Sequence, residues 1–182
     1  MLFRSTGYRN PKGDLPWLDS PEALASWRVA NELRLAVVLM MLPPGPSPDL
    51  LTHVATLAKA FPETRIVLDH AAWPAYEGAP RFGLTAEHLA LVALPNVLFK
   101  LTSILFTEQA EAKLDSAQFV RHLADTYGSQ RLMWGSDMGN TPGSYAELAA
   151  LARSSAALLN AAERAAYLFE VGKATFSARI AG

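Results

Sequence analysis

The sequence contains no cysteine. That excludes disulfides, thiolate metal sites and a cysteine nucleophile, and it suits a reducing compartment. No apolar run approaches the roughly 20 residues needed to span a bilayer. Neither sign of charge is in excess: Lys and Arg total 16, Asp and Glu 17, for a net charge of −1. Without a basic run there is no electrostatic footprint for nucleic acid. The start, MLFRSTGYRNP, has neither the apolar core nor the small-residue cleavage site of a signal peptide. No strand-like run leads into Gly-x-Gly-x-x-Gly, so a Rossmann-type nucleotide binder is not indicated. These absences predict a soluble, cytoplasmic protein and give no sign of a nucleic-acid or membrane partner.

What is present is an ordinary globular composition. The chain has 182 residues, 51% of them apolar and 18% charged. That is enough for one domain over residues 1–182 with a sizeable core. Strand and helix signals alternate along it. Strands are expected at Leu2–Tyr8, Leu35–Leu42, Arg65–Asp69, Val97–Thr102 and Leu132–Trp134. Between them, Asp19 or Ser20 caps a helix with Pro21 at its first position and Glu22 in its first turn, running to about Arg34, and others follow at Asp49–Ala60, Thr85–Leu94 with Thr85 as its cap, and Glu108–Tyr127 stopped by Gly128. Ser144–Ser155 and Ala161–Val171 complete the set. Alternation of this kind argues a parallel α/β sheet with helices outside. A closed (β/α)8 barrel needs eight strands and typically about 250 residues, more than this chain offers.

Two strand ends carry the chemistry. In RLMWGSDMGNTP the apolar Leu132-Met133-Trp134 stops at Gly135-Ser136. Asp137 then stands where strand becomes loop. In RIVLDHAAWP the strand ends at Asp69-His70, and Pro74 closes the turn. The carboxyl ends of parallel strands are where α/β proteins bind ligands. Period-two alternation puts Ile66, Leu68 and His70 on one face and Asp69 on the other. His70 and Asp137 are therefore candidate catalytic residues and candidate ligands of a divalent metal. The competing reading makes Asp137 a turn cap and His70 a buried histidine bonded to a carbonyl. Trp73, in the aromatic loop Ala71–Gly83, either walls a pocket or packs on its neighbours. Lys100 lies on a strand, where a buried amine needs a partner, either a substrate or an ion pair at the rim.

Asp69-His70 before a proline, Asn96-Val97-Leu98-Phe99-Lys100-Leu101-Thr102 and Arg131–Asp137 occur in that order. Gly7-Tyr8-Arg9 precedes them and Leu159–Arg164 with Ala174-Thr175-Phe176 follows. Together they resemble the amidohydrolase-related family of TIM-barrel, metal-dependent hydrolases, a group of lactonases and aromatic-acid decarboxylases. The resemblance implies a (β/α)8 barrel that is incomplete here. The family's His-x-His, from its first strand, is absent, so the N-terminal strands are expected to be missing. It further implies hydrolysis of a lactone or amide, or decarboxylation, on a small carboxylated substrate with zinc as the divalent metal. Asp137 would be base or metal ligand, His70 ligand or substrate contact and Arg9 a carboxylate binder, while Lys100 matches a commonly basic position that could contact substrate. The alternative is an inactive remnant that binds a ligand or a partner subunit. Exposed strand edges of an incomplete barrel predict a homo-oligomer.

Overall fold

The computed structural model describes residues 2–3, 15–40 and 48–177. The chain forms two compact units, Met1–Phe99 and Lys100–Gly182.

In the first unit, β1 (Leu2–Phe3), β2 (Ala36–Leu39), β3 (Arg65–Leu68) and the first half of β4 (Val97–Thr102) lie side by side in chain order, all parallel. One row of the register runs Leu2, Val38, Val67, Leu98. Val37, Val38, Leu39, Ile66, Val67 and Leu68 are all buried. Strands apolar at every position are what a parallel sheet covered on both faces requires.

The helices of this unit start where their caps say they should. After the short α1 (Pro16–Asp19), Ser20 Oγ accepts from the Ala23 amide at 3.2 Å and Pro21 opens α2 (Pro21–Glu32). Trp27 anchors α2: its indole N–H donates to the Leu18 carbonyl at 2.9 Å, and its ring stacks on Phe61 at 6.1 Å. Asn96 clamps the end of α3 (Pro48–Ala60). Its amide reaches the carbonyls of Ala58, Phe61 and Thr64 at 3.0, 3.2 and 3.1 Å. These are acceptors that a helix end and its turn would otherwise leave open. The Asn96 carbonyl in turn takes the Ile66 amide at 2.8 Å, so the turn into β4 is sewn to the start of β3. The last helix, α4 (Ala86–Ala90), is capped by Thr85 as expected.

The second unit holds the rest of β4, then α5 (Ser103–Glu111), α6 (Ser116–Tyr127), β5 (Leu132–Gly135), α7 (Tyr145–Ser155), α8 (Ala161–Ala165) and α9 (Val171–Phe176). β5 is the sheet neighbour of β4. A π-helical turn, Ala166–Glu170, joins α8 to α9. The core is built on Phe106, Phe119, Leu132 and Tyr167. The single helix expected over Glu108–Tyr127 is two helices. Lys113 turns left-handed (φ 59°), and the Asp115 carboxylate accepts from Ala117 and Gln118 amides at 2.8 and 3.4 Å to start α6. Gly128 (φ 88°) stops α6 where the sequence placed the stop. Among the described residues, no helix is long and apolar enough to cross a membrane.

Candidate active-site residues

In the first unit the site residues follow β3. Extending the strand's alternation to His70 is wrong. The strand ends at Leu68, and Asp69–Ala72 winds into a tight turn. His70, Ala71, Ala72 and Trp73 have φ of 52°, 50°, 63° and 45°. Four consecutive left-handed residues with side chains are costly, on the order of 1–2 kcal/mol each. Strain of this kind survives only where surrounding contacts over-determine it, and it clusters at functional sites. Here the turn is buried from Asp69 to Trp73. The Asp69 carboxylate accepts the His70 amide at 3.2 Å, stiffening the strand end, and the Trp73 amide donates to the His70 carbonyl at 2.8 Å.

The turn brings two predicted residues together. The His70 imidazole lies 4.7 Å from the Trp73 ring, tilted by 31°. Trp73 is 6% exposed, and its indole nitrogen is buried with no hydrogen-bond partner among the described residues. An unpaired buried donor costs roughly 1–3 kcal/mol, and a ligand acceptor would relieve it. Beyond Trp73 the loop closes on itself. Gly83 (φ 74°) approaches so near the Ala75 backbone that a Cβ there would meet the Ala75 oxygen at 1.9 Å.

One residue of this region was missed from sequence. His88 is 3% exposed and completes a capping box with Thr85, whose amide donates to its Nδ1 at 3.2 Å. The signal was there in the three-residue spacing from Thr85. Histidine is not the usual partner in such a box, which prefers Glu or Gln.

In the second unit Asp137 follows β5 by two residues. It too is left-handed (φ 50°), a conformation in which aspartate is enriched. Its carbonyl accepts the amides of Asn140 and Thr141 at 3.1 and 2.9 Å. Its carboxylate accepts from Asn140 Nδ2 at 3.0 Å and from the Thr141 hydroxyl at 3.3 Å, one donor on each oxygen. Each oxygen keeps a second acceptor site, so the loop fixes the carboxylate without saturating it. Asp137 is half-buried, within reach of solvent.

Lys100, on β4, lies across Gly135: a Cβ at Gly135 would sit 3.0 Å from Lys100 Cδ and 3.2 Å from its Cε. The bare glycine is what lets the lysine stem pass. Trp134 donates its indole N–H to Ser103 Oγ at 3.3 Å and faces the Tyr145 ring at 6.1 Å. Arg9 lies outside the described residues. Among the described residues no three His, Asp or Glu side chains group to hold a metal ion. They include all four histidines and every acidic residue but Asp14. A catalytic zinc usually takes three protein ligands, so the described donors do not complete such a site.

An amidohydrolase family model matches residues 2–170. The chain belongs to the amidohydrolase family. Over 128 residues this amidohydrolase is 31% identical to the L-fucono-1,5-lactonase of Burkholderia ambifaria, covering 68% of the present chain and 41% of the lactonase. A Pseudomonas putida structure provisionally assigned as a 2-pyrone-4,6-dicarboxylic acid hydrolase matches with a TM-score of 0.69 and 26% identity, over 96% of this chain and 62% of that one. An amidohydrolase of Burkholderia multivorans, solved with zinc bound, matches with a TM-score of 0.68 and 23% identity, over 94% of this chain and 62% of its own. The chain thus spans about two fifths of the curated relative and about three fifths of these structural neighbours. The neighbours are TIM-barrel amidohydrolases, and the strands and helices of this chain are those of an incomplete (β/α)8 barrel.

Proposed function

We propose that this amidohydrolase hydrolyses a small, carboxylated substrate, a lactone or an amide, with Asp137 as general base. The observation that carries the reading is the Asp137 loop. It holds a carboxylate at a strand's carboxyl end with one acceptor site open on each oxygen. The names of the relatives, a lactonase and a pyrone-dicarboxylic acid hydrolase, support the substrate class.

In the proposed reaction a water oxygen adds to the substrate carbonyl while its proton passes to Asp137. The ring C–O or amide C–N bond then breaks, and Asp137 returns the proton to the leaving oxygen or nitrogen. His70, pinned by its strained turn, donates a hydrogen bond to the carbonyl oxygen as charge builds on it. Lys100 and Arg9 bind the substrate carboxylate, and Trp73 presents its unpaired indole N–H to the ligand. His70 and Asp137 also supply two of the donors a divalent ion such as zinc would use. An ion held there draws on a further donor, which the described residues do not provide.

We further take residues 1–182 as a single amidohydrolase-related domain, cytoplasmic and self-associating. The small-molecule partner follows from the family, and the cysteine-free composition supports the compartment. The want of a three-ligand set among the described residues favours a second reading. In it the chain keeps the family's pocket but binds a ligand or a partner subunit without turnover.

Asp137→Asn tests the first reading, because the amide keeps the shape of the side chain and loses the base. On a panel of lactones, amides and aromatic carboxylic acids we expect turnover to fall by about 10²–10⁴-fold, the usual contribution of a positioned base. Unchanged rates would remove Asp137 from the mechanism.

A further inference from the structure

The loop that follows β5 is closed without the Asp137 side chain. The Asp137 carbonyl accepts the Asn140 and Thr141 amides at 3.1 and 2.9 Å, and Met138 pairs with Thr141 in an isolated bridge. The two bonds to the carboxylate are additional to that closure. Asn140 Nδ2 donates to Oδ1 at 3.0 Å, and the Thr141 hydroxyl donates to Oδ2 at 3.3 Å. What they fix is the plane of the carboxylate, because the terminal torsion of an aspartate is broad when nothing holds it. The donors differ in their surroundings. Asn140 is exposed, so water can replace it at Oδ1. Thr141 is 3% exposed, and its β-branch restricts χ1. Its contact is long for an O–H···O bond. Even so, a hydroxyl on a buried residue requires a partner, and among the described residues the Asp137 carboxylate is the one this hydroxyl has.

We propose that Thr141 is a positioning residue: its hydroxyl holds Oδ2 of Asp137 and sets the plane in which the carboxylate meets the attacking water. The proposal deepens the reading given above and rests on Asp137 as general base. A base held in plane starts each turnover aligned, and a misplacement of about 1 Å can cost roughly 10²-fold in rate. The hydroxyl also suits the task chemically. It donates to the carboxylate and brings no charge of its own. A cation in its place would hold the carboxylate harder but oppose its protonation, which a general base must undergo.

The competing role is packing of a buried threonine in the loop. The test compares Thr141→Val, which keeps the shape and loses the hydroxyl, with Thr141→Ser, which keeps the hydroxyl. In protein carrying carbon-13 at the aspartate carboxyl, the signal missing from Asp137→Asn identifies Asp137. We expect that signal to move in Thr141→Val and to return to the parent position in Thr141→Ser. Hydrogen exchange of the Asn140 amide, bonded to the Asp137 carbonyl, should keep the parent rate in both, since the loop stays closed. A carboxyl signal unmoved in Thr141→Val, or moved equally in Thr141→Ser, overturns the proposal. On any substrate of the panel that is turned over, kcat should fall about tenfold in Thr141→Val with KM unchanged, and recover in Thr141→Ser. Asn140→Ala should lower kcat less than Thr141→Val does; the reverse order overturns the assignment to Thr141. Should Thr141→Val not fold, Thr141→Ala removes the same hydroxyl and is read by the same signal. That signal also separates the two readings. If it moves while turnover holds, the general-base role of Asp137 fails and the positioning of its carboxylate by Thr141 stands.

Discussion

At the scale of single residues, the candidate chemistry is carried by side chains on unusual backbone. Asp137 and His70 each sit just past a strand in a left-handed conformation, and each is fixed by donors and acceptors from its own loop. Lys100 depends instead on an atom that is not there, the Cβ of Gly135. Gly135→Ala would place a methyl group 3.0 Å from Lys100 Cδ. The lysine stem is flexible and can move aside, so the stability cost should be about 1 kcal/mol, the low end for overpacking. The amine moves with the stem. If it binds a substrate carboxylate, KM for carboxylated substrates should rise about tenfold, the factor that 1.4 kcal/mol makes, while uncarboxylated analogues keep theirs. Equal effects on both, in steady-state kinetics, would show that Lys100 serves the fold.

At the scale of elements, breaks and ties are set by small polar groups. Asp115 splits what apolar periodicity reads as one helix, because its carboxylate satisfies two amides that a continuous helix would have spent on carbonyls. Arg121 ties α6 to α8 through a two-pronged contact with Glu163, at 2.6 and 3.0 Å, and Glu163 also accepts the Asn160 amide at 2.9 Å. The hydrogen bond from Arg121, then that from the Asn160 backbone, hold the Glu163 carboxyl below its ordinary value of 4.5. A carboxyl lowered by folding adds stability above its unfolded pKa, and that stability is lost as pH falls through the folded one. The protein should therefore weaken below about pH 4.5, and Glu163→Gln should flatten the acid limb while lowering the melting temperature at neutral pH. Thermal melts from pH 3 to 7 check both. A limb just as steep in the variant would assign the acid loss to other carboxylates.

At the scale of the whole chain, the donor inventory decides what to expect of metal. All four histidines and every acid except Asp14 lie among the described residues, and no three of those group together. The purified chain should accordingly hold well under one zinc per molecule after dialysis, as measured by elemental analysis. A full equivalent of zinc that disappears in His70→Ala would instead show that a further donor joins His70, and would make the site a metal centre.

The sequence by itself determined the α/β class, the strand positions, the cap at Thr85, the stop at Gly128 and the family. All of these rest on local signals: apolar runs, hydroxyl caps, glycine at a left-handed position, motifs in order. It also located Asp137 and His70 at strand ends, because the boundary between an apolar run and a turn is written in adjacent residues. Only the tertiary structure decided how those ends are shaped. Nothing local marks His-Ala-Ala-Trp as left-handed, since each residue prefers the opposite hand and yields only where the buried surroundings over-determine the turn. The passage of Lys100 over Gly135 was hidden for a related reason. It depends on a neighbour distant in sequence, and spacing along the chain carries no record of distance in space.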